Sequence, residues 1–149
     1  MHDISHRMMA MQALLMRQLM KRLEKTEITT GQPKVLAYLK SHEGRAQKEI
    51  AAACLIEPGS LTVLLNRMEK HGMIERRFQD VDRRTRCIYL TGYGRSLAGE
   101  VVDQFYAVEE LAFQGISDED RESFARVCGE VLENLRPKDG EAGERTDQA

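Results

Sequence analysis

The sequence predicts a mainly α-helical protein carrying one small β-hairpin. Three features point there. Apolar residues recur at helical spacing in most segments, glycine, proline and capping residues punctuate them, and one central stretch instead sets two β-rich runs around a polar loop. The 149 residues match one ordinary domain, and 42% hydrophobic with 31% charged residues fits a soluble globular chain. No run of about 18 apolar residues occurs, so no membrane span is expected. The polar opening (His2, Asp3, Ser5, His6, Arg7) lacks the apolar core of a secretory leader.

In chain order, Ile4, Met8, Met11, Leu15, Leu19 and Leu23 fall three or four residues apart and predict one long amphipathic helix over 4–25. Thr30 is the expected N-cap of a second helix with Pro33 in its first turn, burying Val35, Leu36 and Leu39 and stopping near Glu43-Gly44. A short alanine-rich third helix, about 47–54, turns Ile50, Ala51 and Ala53 or Cys54 inward, its small residues permitting close approach of another helix. After a turn at Leu55-Ile56, Glu57 caps a fourth helix with Pro58 at its first position, where a missing N–H costs nothing. That helix buries Leu61, Leu64, Leu65 and Met68 and ends at Gly72, a left-handed stop.

Two strands, 73–78 and 86–90, flank the loop Gln79-Asp80-Val81-Asp82-Arg83-Arg84. From Thr91 the pattern is helical again. Leu97, Val101, Val102, Phe105, Val108 and Leu111 stripe a long fifth helix. Ser117, followed by Asp120, opens a sixth with Phe124, Val127, Val131, Leu132 and Leu135 on its apolar face. The expected division is an N-terminal dimerisation helix (1–28), a DNA-binding domain (29–92), C-terminal dimerisation helices (93–136) and a flexible tail (137–149) lacking any apolar side chain larger than alanine.

Net charge is −2, which alone argues against a nucleic-acid partner, but its distribution argues for one. Residues 1–65 carry +3, residues 66–95 carry +4, and residues 100–149 carry −9. A basic centre beside an acidic C-terminal third makes a local electrostatic footprint. Helices two to four followed by a hairpin compose a helix-turn-helix with a wing. The fourth helix presents Gly59, Ser60, Thr62, Val63, Asn66, Arg67 and Lys70, short polar and methyl-bearing side chains suited to a major groove roughly 12 Å wide. In this reading Thr62 and Val63 meet thymine methyls, and Ser60 and Asn66 bond base edges or phosphates, Asn66 being able to pair bidentately with adenine. Arg67 or Lys70 holds phosphates. Arg83 and Arg84 at the hairpin tip face a narrow minor groove. The competing reading is a solvated helix and a turn in which Asp80 and Asp82 neutralise those arginines.

Residues 46–94 resemble the core of the MarR family of winged helix-turn-helix regulators. Gln47-Lys48-Glu49-Ile50-Ala51 is similar to its K-E-L-A helix and Arg67-Met68-Glu69-Lys70-His71-Gly72 to the R-L-E-K-x-G end of its recognition helix. Met73-Ile74-Glu75-Arg76 follows as L-V-E-R, then Asp82-Arg83-Arg84 as the wing D-R-R and Leu90-Thr91-Gly92-Tyr93-Gly94 as L-T-x-x-G. Flanking helices extend the likeness to about 4–136. Three positions depart from the pattern. Val63 replaces a frequent arginine, Gly59 a frequent serine, and Ala46 a capping serine or threonine.

The resemblance implies a homodimer interleaved through the first, fifth and sixth helices, bound to double-stranded DNA at a pseudo-palindromic operator. It also implies a cytoplasmic repressor released by a small anionic or lipophilic effector, with Met16 and Tyr38 the named pocket candidates. The long apolar stripes of helices one and five support a dimer independently, since a single chain of this size struggles to cover them. No cofactor or metal is expected, because the four histidines are scattered and none lies on the fifth helix, where some relatives hold zinc. An enzyme is disfavoured: no nucleophile elbow, phosphate-binding loop or carboxylate pair appears.

Cys54, Cys87 and Cys128 are widely spaced and read as reduced thiols. Cys54 and Cys128 fall on apolar faces as core residues, whereas Cys87 lies near the wing, where partial exposure would permit redox chemistry. Two alternatives remain, a thiol-based redox sensor and a dimeric scaffold of the same fold that binds no DNA.

Overall fold

The structure, a computed structural model, describes residues 3–79 and 84–138. The chain divides into two compact units, the first ending at Ala112 and the second beginning at Phe113. Within the first unit the order is α1 (Asp3–Arg22), α2 (Gln32–Ser41), β1 (Arg45–Ala46), α3 (Gln47–Cys54), α4 (Pro58–Lys70), β2 (Ile74–Phe78), β3 (Arg86–Leu90) and α5 (Gly92–Ala112). The second unit holds α6 (Asp118–Leu135). Among the described residues no single helix is long and apolar enough to cross a membrane.

The core of the first unit is built from Leu19 and Leu23, Val35, Leu36 and Leu39 of α2, Ile50 of α3, Leu61, Leu65 and Met68 of α4, and Ile74, Ile88 and Leu90 of the sheet. These are nearly all residues whose spacing predicted them to face inward. Each fully buried side chain of this size stabilises by about 1.5–3 kcal/mol relative to exposure. α5 packs on α1 and α2 through Leu97, Ala98, Val101 and Val108, while Phe105 and Leu111 remain exposed. In α1 only Leu19 is buried. Ile4, Met8, Met11 and Leu15, the rest of its stripe, are exposed on the single chain.

Helix ends differ in detail from the sequence expectation. Thr30 does not cap α2. The N-cap is Gly31 in a left-handed conformation, and the buried Gln32 side chain instead reaches back to accept from the Thr29 N–H at 2.9 Å. Ala46 offers α3 no side-chain cap, as its residue type dictates, yet Glu49 supplies half of a capping box by accepting from the Ala46 N–H at 3.0 Å. Glu57 occupies the N-cap of α4 without a side-chain cap bond, Pro58 following it. At the other end Gly72 takes φ 73° and Met73 N–H bonds Met68 C=O at 2.9 Å, closing α4 and turning the chain into β2.

The sheet is the main correction. A hairpin was expected, and the structure has three antiparallel strands in the order β1-β3-β2. Arg45 and Ala46 pair with Ile88 and Cys87, making β3 the central strand. This explains a second correction. Cys87, expected to be partly exposed near the wing, is fully buried because strands flank it on both sides.

In the second unit, Ser117 caps α6 as expected, accepting from Asp120 N–H at 3.1 Å. Phe113 and Phe124 meet edge to face at 5.5 Å, with Arg121 over the Phe113 ring. The apolar face of α6 was expected to be buried, but no residue of this helix is buried in the single chain, and Cys128 is only half-buried. Within this unit nothing lies opposite that face to cover it.

Candidate nucleic-acid interface

With Leu61, Leu65 and Met68 facing the core, the helical period points Gly59, Val63, Asn66 and Lys70 directly outward, Ser60 and Arg67 along one flank and Thr62 and Glu69 along the other. All are exposed, and Val63 leaves 55% of its surface bare. Ser60, Arg67 and Lys70 have no hydrogen-bond or ion-pair partner among the described residues, so their polar groups are available to an external ligand.

Thr62 and Asn66 are not available in the same way. The Thr62 hydroxyl donates to Pro58 C=O at 3.0 Å and accepts from Gln47 Nε2, tying the start of α3 to α4. What Thr62 has left to offer a base is its methyl group. Asn66 Oδ1 accepts from Arg76 Nη2 at 2.9 Å, while Arg76 Nη1 reaches Glu69 Oε1 at 2.9 Å. Arg76, whose side chain is only 9% exposed, thereby joins β2 to the recognition face. The expected pairing of Asn66 with adenine would use an oxygen that is already engaged here.

Sequence reasoning assigned Arg76 no role. The signal was present in the alternation of β2. Ile74 and Arg76 point to the same side of the strand, and Ile74 is buried against the core.

The hairpin is strongly cationic. Arg77 pairs with Glu75 and stacks 4.5 Å from the Tyr89 ring centroid, and Arg86 stacks 5.4 Å from that of Phe78. The ladder extends past the strands through Gln79 N–H to Thr85 C=O at 3.2 Å. Arg84 is exposed beside the tip and makes contacts of its own. Arg83, Asp80 and Asp82 lie outside the described residues.

Two polar clusters hold the sheet against α5. Glu43, expected to be a solvated helix end, accepts from Leu90 N–H at 2.9 Å and from Arg95 Nη2 with both carboxylate oxygens at 2.9 Å. Thr91 caps α5 by accepting from Gly94 N–H at 3.0 Å and donates to the backbone of the α4–β2 turn. The effector candidates Met16 and Tyr38 are half-buried and pack against the core, Tyr38 stacking on His42 with ring centroids 4.4 Å apart. Burial pushes the Cys54 thiol above its ordinary range, with Lys34 acting in the opposite sense. Among the described residues no His/Cys/Asp/Glu cluster is disposed to hold a metal.

Comparison with known proteins gives a consistent result. A family model described as MarR family matches residues 26–85. The organic hydroperoxide resistance transcriptional regulator of Bacillus subtilis is 33% identical over 116 residues, covering 78% of each chain. The HTH-type transcriptional repressor MdtR of the same organism is 26% identical over 133 residues, covering 89% of this chain and 86% of its own. Among solved structures, that of the S. aureus MepR–DNA complex superposes with a TM-score of 0.78 at 25% identity, covering 91% of this chain and 99% of that one.

Proposed function

This chain belongs to the MarR family of transcriptional regulators, and from that premise we propose that it binds double-stranded DNA as a homodimer, laying α4 of each subunit in the major groove of a pseudo-palindromic operator. The observation that carries this reading is the outward row of α4. Gly59, Val63, Asn66 and Lys70 form an exposed strip with no carboxylate on it, Arg67 flanks it unpaired, and a cationic hairpin follows. A solvated helix has no need of an exposed valine between two cationic side chains, whereas a groove reader uses a methyl group there.

Dimerisation is supported by exposed apolar side chains in both units: Ile4, Met8, Met11 and Leu15 on α1, and Phe124, Val127, Leu132 and Leu135 on α6. A second copy is the natural cover for faces this large, and two-fold symmetry sets the recognition helices about one DNA turn apart. The role that fits best is a cytoplasmic repressor whose affinity is lowered by a small anionic or lipophilic effector. The MepR complex with DNA and the repressor name of MdtR favour the first half of that statement. Thiol sensing is disfavoured by the burial of Cys54 and Cys87 and by the absence of cysteine from α1.

The decisive experiment is selection of bound fragments from sheared genomic DNA, followed by titration of the selected duplex at several salt concentrations. A dimer holding phosphates releases roughly one counterion per contact, so affinity falls steeply with salt. Binding indifferent to salt, or no enrichment of any sequence, overturns the reading.

A further inference from the structure

We infer that Arg76 is a positioning residue that fixes which way the Asn66 amide faces, so that Asn66 reads a hydrogen-bond acceptor on the DNA, guanine in preference to adenine. The inference rests on the DNA-binding reading above and deepens it.

The argument begins with donor and acceptor chemistry. A guanidinium has five N–H donors and no acceptor. The Asn66 amide atom facing Arg76 at 2.9 Å must therefore be its oxygen, since an NH2 group there would set donor against donor. Arg76 is itself held. Its second terminal nitrogen bonds Glu69 one helical turn further along α4, and its side chain is almost wholly covered. Asn66 lies on the outward row of α4, so with the oxygen drawn toward the hairpin, the NH2 group is what it presents to a ligand.

In the major groove adenine offers one acceptor beside one donor, and reading both requires the amide oxygen and nitrogen together. Guanine offers two neighbouring acceptors, N7 and O6. An amide that leads with its NH2 group therefore favours guanine. The anchoring arginine comes from β2, so the hairpin contributes to base choice without touching that base.

The test is selection from a duplex library with randomised half-sites, run on the full-length parent, Asn66→Asp and Arg76→Met, with thermal unfolding of each. The parent should prefer guanine over adenine by about fivefold or more at one base pair per half-site. Asn66→Asp keeps the shape and the Arg76 partner but presents an acceptor, so preference at that same pair should move to cytosine, whose N4 donates. Arg76→Met keeps a packed stem and frees the amide, so adenine should enter at that pair while the other positions hold. A purely structural Arg76 would lower the melting temperature and leave the base preference unchanged, which overturns the inference. So does a parent that prefers adenine at the pair Asn66→Asp alters, or an Asn66→Asp protein that loses affinity for all sequences equally. A parent that selects no sequence overturns the DNA reading itself, a result distinguishable from each of these.

Discussion

A Cβ atom added to Gly94 would lie 1.8 Å from the Met73 carbonyl oxygen, so the first turn of α5 is pressed directly against the backbone leaving α4. The final glycine of the L-T-x-x-G signature is thereby a packing requirement. Thr91, three residues earlier, completes the joint by capping α5 and bonding the same turn.

Gly94→Ala should therefore be severely destabilising, by about 3 kcal/mol or more, since the clash is with backbone and no rotamer relieves it. The check is chemical denaturation of parent and variant. A loss under about 1 kcal/mol would mean that α5 is free to shift.

Leu55 between α3 and α4 has φ 54° and is 63% exposed, a branched residue in a conformation that favours glycine. Left-handed geometry costs a non-glycine residue about 1–2 kcal/mol, while glycine brings extra unfolded-state entropy. Leu55→Gly should be net stabilising by about 0.5–1 kcal/mol. A raised melting midpoint confirms it, and a clear fall would reveal a packing role for that side chain.

Gly59 has open space around the position of a Cβ, so the fold does not require glycine there. Gly59→Ala should leave stability unchanged or raise it by up to about 1 kcal/mol. Gly59→Leu should also fold normally, yet weaken operator binding by about tenfold or more by holding the helix away from the groove. Unfolding curves with gel-shift titration separate the two effects.

Lys70→Ala should weaken all duplexes about equally and reduce the salt slope by about one unit. Arg84→Ala should weaken binding by about 1–3 kcal/mol, depending on minor-groove width at the operator flanks. Arg77→Ala should cost less, because that side chain is already committed to Glu75 and Tyr89. Salt-dependent titrations on operators with altered flanks test all three.

Because burial raises the Cys54 thiol and Cys87 is fully enclosed, alkylation of the native protein near neutral pH should spare both. For Cys54 the rate should keep climbing with pH beyond the range of an ordinary thiol, as the thiolate forms later. Modification at the speed of a free cysteine, followed by mass spectrometry, would reopen the redox reading.

The helices and their inward faces were legible in the sequence because periodicity and punctuation are local properties. The spacing of Leu61, Leu65 and Met68 needs only the helical repeat, and Gly72 and Ser117 mark their helix ends by residue type. The outward row of α4 follows from the same repeat. Tertiary structure decided what depends on partners distant in the chain. Arg45 and Ala46 are too short a run to signal a strand, and they become one because β3 offers them its free edge. That edge pairing also buries Cys87. Glu43 reads as a solvated end until Arg95 and the Leu90 N–H close on it. Asn66 reads as a free amide until Arg76 arrives from the neighbouring strand. In each case the residue type states what bonds a side chain can make, and only the folded chain settles which of them are already used.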